Sequence, residues 1–312
     1  MKVFATFHLP GDLADRFAPH GIVYTENTTG HPLTRGEILA LARDCDGMIS
    51  LLSDRIDGDL IRSLTNCRVI ANYAVGYNNI DLAAAREMGI AVTNTPGILT
   101  SATAEITFTL ILAAARNLVQ GEKMMRANAF PGWQPELLLG HGLEGKTLGV
   151  VGAGRIARRV AEIALAFNME VIYHSRSPKD DMPGRFTTLP DLMATADVIS
   201  LHIPLNEATC NLISASMLNL MKPSAIIINT ARGEVLDEKH LIEMLRAKRI
   251  FAAGFDVYAN EPAVNPELAT LDNAVLLPHL GSATFETRRA MAHLAADNVI
   301  AVLGGGSPLT PV

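Results

Sequence analysis

Residues 148–157 read Leu148-Gly149-Val150-Val151-Gly152-Ala153-Gly154-Arg155-Ile156-Ala157. Leu148, Val150 and Val151 form a short apolar run with β-branched members, the composition of a strand buried on both faces of a parallel sheet. Gly152, Gly154 and Ala157 follow in G-x-G-x-x-A spacing, which suits a strand turning tightly into a helix. In such a turn the first glycine permits the bend and the second lets the backbone approach a pyrophosphate. The small third residue lets helix and strand pack closely. The new helix begins at Arg155 and Ile156, where free N–H groups and partial positive charge favour phosphate. A glycine-rich turn alone also fits a mere packing contact, so the surroundings decide.

Those surroundings are regular. Strands are expected at Leu148–Val151, Glu170–His174, Asp197–Leu201, Ala225–Asn229, Ala252–Phe255 and Ala274–Leu277, and six such strands complete a dinucleotide-binding sheet. Helices lie between most of them, including 214–220 with a serine cap and 237–247 with an aspartate cap. Upstream, strands at Val3–Phe7, Ile22–Tyr24, Gly47–Leu51, Arg68–Ala71 and Ile90–Val92 alternate with helical patterns at 35–43, 58–64 and 81–88. This alternation argues a second doubly wound sheet. Asn94-Thr95-Pro96-Gly97 punctuates the chain before a helical crossover over about 101–117. The last helix, 285–303, carries Met291, Leu294, Val299 and Val302 on its apolar face, stops at Gly304-Gly305-Gly306, and is expected to pack on the first domain. The fold class is therefore α/β with two doubly wound parallel-sheet domains. A flavodoxin-like domain spans 1–98 and 284–312, and an inserted Rossmann domain spans 99–283.

Within the second domain, residues 119–146 show little periodicity and hold the only tryptophan, Trp133. Long irregular segments in compact proteins are usually functional or interfacial. Trp133 fits either an anchor for its own loop or a contact across a homodimer, and a homodimer is expected.

Composition narrows the class. A chain of 312 residues exceeds what one core usually organises. A net charge of −6 argues against a nucleic-acid surface or an anionic membrane as partner. Cys45, Cys67 and Cys210 are scattered and lack C-x-x-C spacing, so neither a disulfide framework nor a metal site is expected. The N-terminus reads as a strand rather than a secretory signal, and a cytoplasmic location is expected.

An NAD-binding fold places an acid about 20 residues past the glycine motif, at the end of the second strand, to hold the ribose 2′-hydroxyl. The corresponding residues here are His174, Ser175, Arg176 and Ser177, with no acid among them. A carboxylate there would repel a 2′-phosphate. Without it, Ser175 and Ser177 can donate hydrogen bonds and Arg176 can pair with the phosphate, unless Arg176 is only a solvated surface charge. NADPH is expected to be preferred, with NADH possible.

Hydride transfer to a 2-oxo acid needs a cation for the substrate carboxylate and a proton donor for the developing alkoxide. In open α/β sheets such groups belong at the carboxyl ends of strands. Arg232 follows the strand ending at Asn229, Glu261 follows the one ending near Asp256, and His279 follows the one ending at Leu277.

Taken in order, N-T-P-G-I-L-T-S-A-T-A-E, G-A-G-R-I-A, N-T-A-R-G, D-V-Y-A-N-E-P and P-H-L-G-S-A-T resemble the D-isomer-specific 2-hydroxyacid dehydrogenase family over nearly the whole chain. L-L-S-D-R-I-D, A-N-Y-A-V-G-Y-N-N-I-D and Y-H-S-R-S resemble its glyoxylate and hydroxypyruvate reductases. The resemblance implies that His279 is the general acid in reduction, Glu261 its carboxylate partner and Arg232 the substrate-carboxylate ligand. It implies substrate contacts at Leu52, Val75 and Gly76, where loop N–H groups meet the carboxylate. Besides the glycine turn, cofactor contacts are implied at Thr103, His202, Ile203, Pro204, Thr209, Thr230, Ala231, Arg232, Asp256, His279 and Gly281. Thr103 also fits a helix cap, and His202 a packing role. The expected function is NADPH-dependent reduction of glyoxylate and hydroxypyruvate. 2-Ketogluconate reductases and phosphoglycerate dehydrogenases share the fold, although the missing acid after the second strand counts against the latter. Corepressors on the same fold carry disordered segments and a peptide cleft that have no counterpart here.

Overall fold

Strands buried on both faces need nearly continuous apolar runs, and this chain supplies two sets of them. The fold is described from a computed structural model covering residues 1–312, in which the chain divides into two units, one of residues 1–99 and 282–312, the other of residues 100–281.

The first unit holds β1 (Lys2–Ala5), β2 (Val23–Glu26), β3 (Gly47–Ser50), β4 (Val69–Asn72) and β5 (Ala91–Thr93). They form a parallel sheet in the order β2-β1-β3-β4-β5. β3 and β4 are buried at every residue. Its helices start where side chains cap them: Thr34 and Glu37 form a reciprocal capping box, and Asp57 and Asp81 accept N–H groups of the first turns they precede. The helix Phe285–Leu303 packs on β3 and β4. Met291 and Val299 are buried as expected, whereas Leu294 and Val302 are only partly covered. The rest of the contact face is mostly alanine (Ala292, Ala295, Ala296) with one polar residue, Asn298.

That asparagine has a specific task. Its Oδ1 accepts the N–H groups of Leu309 and Thr310, each at 2.9 Å, and its Nδ2 donates to Leu294 O and Thr310 Oγ1. Held in this way, the tail lies along the outer edge of β5, with Pro311 antiparallel to Thr93 and Val312 N donating to Val92 O. An otherwise open sheet edge is thereby covered.

The second unit contains β6 (Thr147–Val151), β7 (Glu170–His174), β8 (Arg185–Phe186), β9 (Val198–Leu201), β10 (Ile226–Asn229), β11 (Ala252–Phe255) and β12 (Ala274–Leu276). All pair in parallel, in the order β12-β11-β10-β9-β6-β7-β8. The six expected strands are joined by β8, an exposed edge strand too short to show any alternation. The helix Arg155–Ala166 buries Ala157, Val160, Ala161 and Ala164, the spacing of one helical face. The helix Thr100–Ala115 packs on it and on β10, β11 and β12.

The segment 119–146 departs from its reading as irregular: Leu118–Arg126 is helical, entered through Asn117 in the left-handed region. Val119 packs against the core of the second unit and Leu143 is buried in it, but other apolar residues of the stretch face outward. Trp133 is 84% exposed, and Leu118, Met125 and Leu139 are exposed too. An anchoring role for Trp133 within its own loop is thus overturned. No single helix is long and apolar enough to cross a membrane.

Removing the tail's anchor tests how much this packing contributes. Asn298→Ala leaves the two tail N–H groups without their acceptor and should destabilise the fold by about 2–3 kcal/mol, read as a lower urea midpoint at unchanged slope.

Candidate active site

The glycine turn at the end of β6 is built by close approach. Gly152 lies at φ +110°, and a Cβ there would stand 2.4 Å from the His202 carbonyl oxygen. No side chain fits, whatever is bound. The neighbouring strand ends hold the turn, with Gly152 N donating to His174 O and His202 N to Val151 O. Gly154 differs, since nothing stands within 4 Å of where its Cβ would be. No side chain caps the helix that Gly154 opens, and its first turn has no acid. Arg155 is exposed and Ile156 half-buried. An uncapped, unobstructed helix N-terminus is a fit for a pyrophosphate.

The end of β7 carries His174–Ser177. His174 Nδ1 is 3.0 Å from Thr187 O, and the ring stacks on Phe186. Arg176 and Ser177 are exposed. The Ser175 hydroxyl donates to Ser177 O at 2.6 Å.

Around the remaining strand ends, His202 Nε2 lies 2.8 Å from Ser200 Oγ, and burial pushes the imidazole down to about 3, leaving it neutral. Thr209 Oγ1 donates to Pro204 O and accepts from Asn206 N, shaping the loop that carries Ile203 and Pro204. Thr230 Oγ1 meets Thr107 Oγ1 at 3.0 Å, and Ala231 N donates to Asn229 Oδ1. Thr103 is no helix cap: it lies inside the helix Thr100–Ala115, with its hydroxyl donating to Gly281 O.

Three chain segments supply the polar centre. Arg232 leaves β10 in extended conformation, its backbone carbonyl held by Asn229 Nδ2. Burial pushes its guanidinium below its usual value, while the charges of Glu261 and Glu234 oppose that shift. Gly233 comes next, and a Cβ there would fall 2.0 Å from the Tyr258 carbonyl carbon. Only glycine lets this segment meet the Tyr258 backbone. Glu261 Oε1 accepts Tyr258 N at 3.0 Å, and its Oε2 lies 2.8 Å from His279 Nδ1. Partial desolvation alone would raise the Glu261 carboxyl. The hydrogen bond and charge of His279, with help from Tyr258 N and Arg232, outweigh it and hold the group below the usual carboxylate range.

His279 adopts φ +56°, a conformation uncommon outside glycine. Asp256 imposes it, its buried carboxylate accepting Leu280 N at 2.6 Å and Gly281 N at 2.8 Å. With Nδ1 committed to Glu261, His279 keeps Nε2 for chemistry. The sequence reading brought out Arg232, Glu261, His279 and Asp256. It missed Gly233 and Tyr258, whose hydroxyl donates to Leu277 O and ties the β11 and β12 loops together. The N-T-A-R-G motif contained the signal for Gly233, a glycine immediately after a strand-end arginine.

In the first unit, Leu52 follows β3, and Val75 and Gly76 follow β4, all half-buried at the carboxyl ends of strands. Arg232, Glu261, His279, Asp256, Thr103 and Gly281 come together in the second unit, and these three belong to the first.

Comparison with known proteins agrees with this architecture. The family profile described as D-isomer specific 2-hydroxyacid dehydrogenase, NAD binding domain, matches residues 108–281. The glyoxylate reductase of Pyrococcus furiosus is 44% identical over 288 residues, spanning 90% of this chain and 86% of that protein. The crystal structure of the TT0316 protein from Thermus thermophilus has a TM-score of 0.95 at 45% identity, covering 100% of both chains. That of an NADPH-dependent glyoxylate/hydroxypyruvate reductase from Sinorhizobium meliloti, in complex with NADP and malonate, has a TM-score of 0.89 at 30% identity, covering 100% of this chain and 96% of that one. With a dinucleotide turn, an acid–histidine pair and an arginine at strand ends, and relatives matching along nearly its full length, the chain belongs to the D-isomer specific 2-hydroxyacid dehydrogenase family and is an NAD(P)-dependent dehydrogenase close to the glyoxylate reductases.

Proposed function

We propose that this protein reduces short 2-oxo acids, glyoxylate and hydroxypyruvate, to the corresponding 2-hydroxy acids with NADPH. The observation that carries the reading is the 2.8 Å contact between Glu261 and His279 Nδ1, which leaves Nε2 as a directed proton donor. The names of the relatives support the substrate class: the Pyrococcus protein is a glyoxylate reductase, and the Sinorhizobium protein acts on glyoxylate and hydroxypyruvate.

A bound reduced nicotinamide supplies the hydride. Arg232 pairs with the substrate carboxylate through its fork of donors and polarises the 2-oxo group. His279 delivers the proton from Nε2 to the alkoxide oxygen as the carbonyl carbon is reduced, while Glu261 stabilises the imidazolium before transfer. Asp256, Thr103 and Gly281 are assigned to the nicotinamide end of the cofactor, and Gly152, Gly154, Arg155 and Ile156 to its pyrophosphate. His202, Ile203, Pro204, Thr209, Thr230 and Ala231 are assigned to its remaining contacts. Leu52, Val75 and Gly76 are assigned to the substrate.

The NADPH preference rests on His174–Ser177. This stretch contains no carboxylate to repel a 2′-phosphate, and it presents the exposed Arg176 beside the hydroxyl-bearing Ser175 and Ser177. Homodimer formation is part of the same reading, with the exposed Leu118, Met125, Trp133 and Leu139 offering apolar surface for a partner. Sedimentation velocity should give twice the chain mass, and Trp133→Glu should shift it towards monomer.

Loss of NADPH absorbance with glyoxylate and with hydroxypyruvate tests the activity, and no turnover with either would refute the substrate reading. His279→Ala should lower kcat by about 10²–10⁴-fold with the NADPH dissociation constant unchanged. Equal damage to cofactor binding would remove its role as acid. Arg176→Asp should move the NADPH-to-NADH efficiency ratio by about tenfold or more towards NADH, and an unchanged ratio would place the 2′-phosphate elsewhere.

A further inference from the structure

The loop after β4 has two consecutive carbonyls tied down by buried side-chain amides. Asn94 Nδ2 donates to Val75 O at 2.7 Å, and Asn72 Nδ2 donates to Gly76 O at 2.8 Å. Both asparagines are buried, Asn72 completely. Asn72 is held in turn by Ser50 Oγ and by the amide of Asn79. Asn94 is held by Thr310, whose hydroxyl donates to Asn94 O at 2.6 Å.

The consequence lies on the opposite side of each peptide. The chain's one cis bond is elsewhere, at Glu261–Pro262, so the peptides joining Val75 to Gly76 and Gly76 to Tyr77 are trans. In a trans peptide N–H and C=O point in opposite directions. Fixing the Val75 and Gly76 carbonyls towards the asparagines therefore turns the N–H groups of Gly76 and Tyr77 away from them. Neither donates to a protein acceptor, and nor does Val75 N. Gly76 is half-buried and Tyr77 exposed, so both N–H groups are open to a ligand, and successive backbone N–H groups of a loop can form an anion-accepting concavity.

We propose that Asn72 and Asn94 are positioning residues that set these N–H groups to receive the carboxylate of the 2-oxo acid. Asn79 extends the control to the neighbouring loop after β3. Its Nδ2 donates to Leu51 O and Asp54 O, and the buried Asp54 carboxylate accepts Leu51 N and the Thr6 hydroxyl. The two loops carrying Leu52, Val75 and Gly76 are thus referenced to one buried polar network. The arrangement rests on the substrate reading above.

The test is a kinetic separation in the full-length enzyme with NADPH. Asn94→Ala should raise KM for glyoxylate about tenfold or more, as for loss of one good ligand hydrogen bond, with kcat within about threefold and NADPH affinity unchanged. Asn72→Ser provides a second route should Asn94→Ala fail to fold. Glyoxylamide, which lacks the carboxylate charge, separates positioning from general damage. The wild type should favour glyoxylate over the amide, and both variants should narrow that ratio by the same factor as their loss on the acid. Variants that lose acid and amide equally, or that keep wild-type KM, overturn the positioning role while leaving the substrate reading intact. A wild type that turns over no 2-oxo acid overturns both, and the two failures are distinguished by the wild-type assay alone.

Discussion

The second unit's site depends on one buried carboxylate. Asp256 ends β11 and accepts the N–H groups of Leu280 and Gly281, which arrive from the end of the neighbouring strand. Those two bonds fold the chain after β12 back over β11, and a left-handed residue is needed at the bend. The residue there is His279, although the conformation costs roughly 1–2 kcal/mol for a side chain of its kind. Glu261 then takes the imidazole Nδ1 and Thr103 takes Gly281 O, so the bend is held from both sides. Strain at such a site is tolerated because the surrounding bonds over-determine it.

Close backbone approach is the second recurring device. Gly152 lies against the His202 carbonyl, and Gly233 against the Tyr258 peptide. Both stand at carboxyl ends of strands, where a parallel sheet collects segments far apart in the chain. The electrostatics follow from that convergence. Glu261 is held below the usual carboxylate range despite partial desolvation, because it lies against His279, Tyr258 N and the field of Arg232. Asp256 faces stronger desolvation and the like charge of Glu261, so its carboxyl is raised even with two N–H donors and His279 opposing the shift.

The first unit solves a different problem with neutral groups. Its strand ends are lined by Ser50, Asn72 and Asn94, all buried. Amides can orient backbone without adding a charge at the strand ends. A buried polar group is costly unless paired, and here the pairing partners are loop carbonyls, so satisfying the side chains and shaping the loops are one event. The C-terminal tail joins the same network through Asn298 and Thr310.

The strands of both sheets, the glycine turn and the positions of Arg232, Glu261 and His279 at strand ends were legible from residue pattern alone. Buried parallel strands and tight turns leave local signatures of period and composition, and a strand end locates whatever follows it. The two-residue β8 and the helix at Leu118–Arg126 left no such signature, the first being too short for a period and the second having no buried face. The left-handed His279, the Gly233 contact and the asparagine-held loops depend on partners brought together by topology, as in the bond from Thr310 to Asn94 across 216 residues. Hydrophobic period determines which segments become strands and helices. Only the folded chain decides which donor meets which acceptor, since that depends on distances that local sequence does not encode.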